Sequence, residues 1–232
     1  MESMKAVRVH SYGGPEVLRF EDAPRPAPGP GEVLIKVYAA SVNPIDWKVR
    51  AGYLKNVIPL PLPFIPGWDV SGVVEAVGTG VTKFKKGDEV YARANIAHDG
   101  YGGYAEYVAA KEAETALKPK SIDHVQAATI PVAAVTAWRV LIDTAGLQKG
   151  QKVLIQIHGA SAGVGRFAVQ FAKWKGAYVI GTASARNQAF LRELGADEPI
   201  DYGKTPFDVA VHDVDLCSTR PKERRKTVPG RC

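Results

Sequence analysis

The spacing of apolar positions changes part-way along this chain. Over residues 4–110, β-branched and aromatic residues fall in short runs parted by glycine and proline: KAVRVHSYG, EVLRFED, EVLIKVYAASVN and VSGVVEAVG. Runs of this length and make-up predict strands. The stretch APRPAPGPGE at 23–32 is a proline-rich connector. DVSGVVEAVGTGVTKFKKGDEVYA predicts two strands about a turn that ends at Lys86-Gly87-Asp88. The first part of the chain, 1–125, is therefore expected to be a compact, largely antiparallel β domain.

From about Ser121 the period becomes helical. IDHVQAATIPVAAVTAWRVLIDTAGL suits two helices, with Pro131 parting them and Gly146 ending the second. Residues 152–157 form an apolar run with little alternation, as in strands buried on both faces of a parallel sheet. A helix over 163–175, a strand over 177–182, a helix over 187–194 and a strand over 198–202 follow. That alternation is βαβαβ, half of a doubly wound fold. The expected class is α/β plus β: a β-rich domain over 1–125, an incomplete parallel-sheet domain over 126–213 and a basic tail over 214–232.

With 232 residues, 46% of them hydrophobic, the chain can bury one large core or two modest ones. No run of about 18 apolar residues suggests a membrane span. The opening MESMKAVRVHSYGG lacks the apolar core of a secretory leader, so the cytoplasm is the expected compartment. The two cysteines, Cys217 and Cys232, argue against a disulfide framework or a zinc knuckle. The net charge of +6 is uneven: Arg220, Lys222, Arg224, Arg225, Lys226 and Arg231 outweigh Asp215 and Glu223 in the tail. A nucleic-acid reading would rest on that tail alone, and basic tails are commonly just solvated.

Between the strand at 152–157 and the next helix lie Gly159, Ala160, Ser161, Ala162, Gly163, Val164 and Gly165. Small side chains let the backbone approach a pyrophosphate, and the unpaired N–H groups of a helix start supply donors and partial positive charge. The strict dinucleotide pattern GxGxxG falls here on Ala160, Ala162 and Gly165, so two of its glycines are alanines. The strand–loop–helix–strand setting favours a dinucleotide over an ordinary tight turn. At the end of the second strand an acid would accept from the ribose 2′-hydroxyl and repel a 2′-phosphate. Thr182-Ala183-Ser184-Ala185-Arg186 has no acid, but offers a hydroxyl and a guanidinium. NADP(H) is the expected cofactor, although Arg186 would also be ordinary as a solvated residue at a helix start.

These residues, with SVNPIDWKVRAGY (41–53), LPFIPGWDVSGVVEAVG (62–78), GYGGYAEYVA (100–109), AATIPVAAVTAW (127–138), HGASAGVG (158–165) and LRELGADEPIDY (191–202), resemble the zinc-independent medium-chain dehydrogenase/reductase family. Within it, the chain is similar to quinone oxidoreductases and alkenal or enone reductases over about residues 4–213. The resemblance implies a GroES-like domain followed by a Rossmann domain, with an active site in the cleft between them. It puts Asn43, Trp68 and Val132 where zinc-containing relatives hold their catalytic metal, and amide, indole and isopropyl do not make a zinc site. No metal is therefore expected. Without a Lewis acid, alcohol oxidation is disfavoured. A conjugated quinone or enone spreads the incoming charge, so hydrogen-bond donors can suffice.

The resemblance also implies roles for single residues. Asn43 would line the cleft near the nicotinamide or the acceptor oxygen, although Asn before Pro44 is ordinary in a turn. Lys48 would hydrogen-bond cofactor or acceptor, or be a solvated lysine. Asp46 would orient its neighbours. Thr136 would pack by the nicotinamide, or be a core threonine. Tyr202 would flank the adenosine phosphate. Tyr101 and Tyr104 offer phenols in a glycine-rich turn. Trp47 and Trp68 fit a core or a cleft wall, and His158 a structural role.

After about Asp213 the family pattern stops, and DLCSTRPKERRKTVPGRC has neither helical nor strand periodicity. Its low hydrophobicity and high charge suggest disorder. Strand 4 of the doubly wound sheet is expected to be missing, leaving strand 1 as an exposed apolar edge. The sequence-level expectation is a metal-free NADPH-dependent quinone or enone reductase, truncated or frame-altered and impaired in this form. Its rival is a non-catalytic product with weak or no nucleotide binding. Dimerisation is expected only of a longer form.

Overall fold

A computed structural model describes residues 2–94, 96, 100–156, 159–205 and 210–218. The chain divides into two compact units, Met1–Val132 and Ala133–Cys232. Among the described residues no helix is long and apolar enough to cross a membrane.

In the first unit, β1 (Ser3–Val9) pairs antiparallel with β2 (Leu18–Pro24). A five-stranded antiparallel sheet follows: β3 (Glu32–Ala40), β4 (Asp69–Val77), β5 (Glu89–Arg93), β6 (Tyr107–Lys111) and β7 (Thr115–Leu117), in the order β6-β3-β4-β5-β7. Val33, Ile35, Val70, Val74, Val90, Ala92 and Val108 fill its core, because alternate positions of each strand turn to one face. The turn before β5 closes through Lys86-Gly87-Asp88, as expected, with Gly87 at φ +93°.

Helix α1 (Pro44–Arg50) was not foreseen. Its signals are nonetheless in the text: Asn43 at the N-cap, Pro44 opening the first turn, and Asp46 three residues on, closing a capping box. Helix α2 (His124–Ala127) packs on β3 and β4, and its cap Asp123 accepts from the N–H of Gln126 at 2.7 Å. Pro131 opens α3 (Pro131–Trp138), which continues as a π-helical turn over Arg139–Thr144. Gly146 then adopts φ +61° and ends it. The first unit thus runs beyond residue 125, because α2 and Val132 are tied to β4.

In the second unit, β8 (Lys152–Ile155), β9 (Tyr178–Ala183), β10 (Glu198–Asp201) and β11 (Leu216–Ser218) form one parallel sheet in the order β10-β9-β8-β11. Helices α4 (Gly163–Trp174) and α5 (Gln188–Glu193) connect the first three strands. Val153, Ile155, Ala168, Val169, Val179 and Leu191 make up the centre of the core.

β11 corrects one expectation. The fourth strand position is filled, so β8 is an inner strand and not an edge. Leu216, Cys217 and Ser218 pair with Val153, Leu154 and Ile155. The N–H of Lys152 donates to the Asp215 carboxylate at 2.7 Å, and the N–H of Asp215 returns a bond to the Lys152 carbonyl at 2.9 Å. Leu216 packs on one face of the sheet and Cys217 on the other. Three residues are too few to show a period, and the charged run after them hid the strand. The rest of the expected tail, 219–232, and His158 lie outside the described residues.

Candidate functional site

The second unit turns from β8 into α4 through the glycine-rich loop. Ala162 caps α4 in an extended conformation with no side-chain bond to the helix N-terminus. The first N–H groups of a helix lack intrahelical acceptors, and here they open onto the loop. Gly159 holds φ +85°, a left-handed value. A Cβ on Gly165 would lie 2.4 Å from the Gly159 carbonyl oxygen and 2.8 Å from Ala160 Cα, so only glycine allows loop and helix to meet. The N–H of Ala160 donates to the Thr182 carbonyl at 2.8 Å, which ties the loop to β9. The strand order reverses between β8 and β11, and the loop stands at that switch point, where doubly wound sheets bind dinucleotides. The residues present therefore fit a dinucleotide.

At the far end of β9 the expected cofactor residues separate into two groups. Thr182 is buried at 2% exposure and acts through its carbonyl. Ala183 is buried at 1%, and its methyl packs in the core with Ala160, Leu191 and Ala196. Neither side chain faces out, so Ser184 is the first position after β9 at which a side chain is open to a ligand. Asn187 Nδ2 donates to Ser161 Oγ at 3.1 Å and to Ser184 Oγ at 3.3 Å. Tyr202 is exposed, and its N–H donates to the Ala183 carbonyl at 3.3 Å. Ser161, Ser184, Asn187 and Tyr202 thus collect at one rim, with Arg186 exposed beside them. Asp201, opposite Ala183 in β10, accepts from the Gly203 N–H at 3.0 Å. Val164 packs against the core, and Gly163 is exposed at the helix start. A Cβ on Gly163 would stand 3.9 Å from Ala133 Cβ, so α3 runs close to that start. Thr136, three residues along α3 from Ala133, is exposed on the same side.

The first unit builds its polar cluster from side chains. Asp69, at the start of β4, has 0% exposure. Its Oδ2 accepts from Asn43 Nδ2 at 2.8 Å and Ser41 Oγ at 3.1 Å, and its Oδ1 from the Val132 N–H at 3.0 Å. Burial pushes the Asp69 carboxyl up to about 6, against the pull of these bonds and with the nearby Asp46 charge adding to the rise. Burial likewise raises Asp46, which accepts from the Asn43 N–H at 2.6 Å. Burial and the charge of Asp46 push the Tyr104 phenol far above its ordinary range. Its hydroxyl donates to the Ser41 carbonyl at 3.3 Å.

This geometry redefines Asn43. Both its amide N–H bonds are committed, one to Asp69 and one to Ser41 Oγ at 3.1 Å, and the residue caps α1. It is a structural joint and not an available donor. Lys48 is partly exposed, with Nζ 5.7 Å from the centroid of the Trp47 ring. Trp47 meets Tyr53 edge to face at 5.8 Å, and both are exposed. Tyr101 packs with Met4, Ala6, Ala23 and Ile65 in an apolar cluster. Trp68 is buried with Val9, Phe64 and Ile96, and Val132 packs against the same cluster. Among the described residues no three His, Cys, Asp or Glu side chains come together as a metal-holding group.

Sequence reasoning missed Asp69, Asn187 and Tyr53. The carboxylate was visible in GWDVSG, but only the fold shows that it collects three donors from two distant segments.

Residues 29–120 match the alcohol dehydrogenase GroES-like domain family. The chain is 43% identical over 212 residues to a chloroplast envelope quinone oxidoreductase homolog of Arabidopsis thaliana, covering 90% of this chain and 64% of that protein. It is 40% identical over 235 residues to a chloroplastic NADPH-dependent alkenal/one oxidoreductase of the same plant, covering 95% of this chain and 60% of that protein. The chain thus spans less than two thirds of the length of these curated relatives. The structure of the quinone oxidoreductase from Coxiella burnetii superimposes with a TM-score of 0.82 at 39% identity, covering 93% of this chain and 68% of that one. Motifs, fold and relatives agree: the chain belongs to the medium-chain dehydrogenase/reductase family, on its quinone oxidoreductase and alkenal reductase branch.

Proposed function

We propose that this protein reduces quinones or α,β-unsaturated carbonyls with NADPH and without a metal. The observation that carries the reading is the glycine cradle at Gly159 and Gly165. It stands at the switch point of a parallel sheet whose second strand is followed by Ser184 and Arg186 rather than by an acid. The relatives named for quinone and NADPH-dependent alkenal reduction support it. NADPH, when bound, supplies the hydride. The first N–H groups of α4, at Gly163, Val164 and Gly165, would bind the pyrophosphate. Ser161, Ser184, Arg186 and Tyr202 hold the adenosine end, and Thr136 stands by the loop.

In the first unit, Lys48 Nζ would donate a proton to the acceptor oxygen. The exposed Trp47–Tyr53 pair offers flat apolar surface to a conjugated ring. Asn43 holds α1, and so Trp47 and Lys48, against Asp69. Tyr101 serves packing more than chemistry. The donor set supports metal-free chemistry, because the Asn43 amide is occupied and Trp68 and Val132 are packed in apolar surroundings. The two cysteines suit a reducing compartment, of which the cytoplasm is one.

The test is NADPH oxidation by the purified chain with a para-quinone and with an enone. Acceptor-dependent oxidation that persists after chelation and falls at least tenfold in Lys48→Ala is the expected result. No binding of NADPH or NADH would overturn the reading.

A further inference from the structure

Arg166 lies one residue beyond the glycine cradle, and neither the motif nor the NADP(H) argument uses it. Its Nε–H donates to the Ser161 carbonyl at 2.8 Å, and its guanidinium stacks over the Phe190 ring at 4.8 Å from the centroid. One contact fixes it to the loop. The other fixes it to α5, the helix that begins just past Ser184 and Asn187. Asn187 Nδ2 bridges Ser161 Oγ and Ser184 Oγ, so one hydrogen-bonded chain runs Arg166–Ser161–Asn187–Ser184. The guanidinium is exposed, and no salt bridge among the described residues neutralises it. A fork-shaped cation held by a carbonyl and a ring, with its terminal N–H groups left over, is prepared for an oxyanion.

We infer that Arg166 is a specificity-determining residue of the dinucleotide site, the cation that selects a 2′-phosphate on the adenosine ribose. The inference rests on the nucleotide reading of the loop. The stacking partner, Phe190, belongs to α5, the helix that follows β9. The pyrophosphate sits on the helix N-terminus, whereas the ribose 2′ position sits at the end of the second strand. Ser184 and Asn187 mark that strand end, and Arg166 is linked to it through Ser161. Arg186 supplies a second cation on the same rim, from an exposed position.

The test uses the full chain and two small probes, 2′,5′-ADP and 5′-AMP, which differ only in the 2′-phosphate. Calorimetric titration of the unmodified protein is expected to give at least tenfold tighter binding of 2′,5′-ADP. Arg166→Gln is expected to lose about tenfold for 2′,5′-ADP while 5′-AMP stays within twofold, which also shows that the variant is folded. Arg166→Lys is expected to fall between the two, because it keeps the charge but not the stacked fork. An equal loss for both probes, or no loss for either, overturns the assignment and leaves the nucleotide site standing. If the unmodified chain binds neither probe nor NADPH, the nucleotide reading falls, and this assignment with it.

Discussion

The two units build their sites from opposite materials. In the first, the site is a set of side chains converging on a buried carboxylate, with Asn43, Ser41 and the Val132 N–H all donating to Asp69. In the second, the site is made by side chains that are missing: Gly159 takes a left-handed φ of +85°, and a Cβ on Gly165 would drive into the Gly159 carbonyl and Ala160 Cα. The first stores electrostatic free energy, because a desolvated charge must be satisfied in place. The second stores almost none, and works by shape and by the unpaired N–H groups of α4. A side-chain site is therefore sensitive to pH and to loss of a partner, and a backbone site to added bulk.

Asp69→Ala should break the first site most severely. It strands two donors and a backbone N–H in a buried place, at about 3–5 kcal/mol of stability, read by denaturant titration. A loss under about 1 kcal/mol would mean that water or neighbouring groups take over the bonds. Gly165→Ala attacks the second site by bulk and should cost about 1–3 kcal/mol. Its NADPH affinity should fall at least tenfold, because loop and helix must part. Retained affinity would refute the cradle geometry.

The third prediction sharpens the contrast in pH response. Asp69 is held at about 6 in the folded protein, above the ~3.9 of an unfolded aspartate. Ionising it opposes folding. Its contribution favours the fold in full below about pH 4 and is lost as pH rises through about 6. Asp69→Asn cannot ionise, so its stability relative to the unmodified chain should improve by roughly 2 kcal/mol between pH 4 and pH 7. Melting curves across that range check it, and a difference that stays flat would show that the carboxyl is not perturbed. Gly165→Ala should show no such trend.

The smallest effect concerns cofactor choice at the rim. Ser184→Asp places a carboxylate at the first open position after β9, and should move the NADPH-to-NADH affinity ratio about tenfold towards NADH with little change in melting temperature. The same change at Ala183 should unfold rather than re-specify the site, since that methyl lies in the core. Fluorescence titration of both cofactors distinguishes the two positions.

Much of the second site was legible in the sequence. Small residues between an apolar run and a helical pattern are local facts, and the strand–loop–helix order made the dinucleotide reading available from residues 152–182. Less of the first was legible. Asn43 read as a candidate donor because its local setting, before a proline, says nothing of Asp69, 26 residues away. The Val132 N–H that completes the carboxylate's shell is 63 residues away. Helix α1 was readable from its cap, but β11 was not, since three residues flanked by charges carry no period.

The sequence by itself determined the two regimes of periodicity, most of the elements within each, the smallness of the loop and the lack of an acid over 182–186. These follow from steric and hydrogen-bonding preferences that act within a few residues, so they are written locally. Only the tertiary structure decided that β11 completes the switch point, that Ala183 faces the core while Ser184 faces out, and that the Asn43 amide is already bound. Each depends on which distant groups meet and on which face of a strand they meet. A buried polar group takes its role from the partners the fold brings to it.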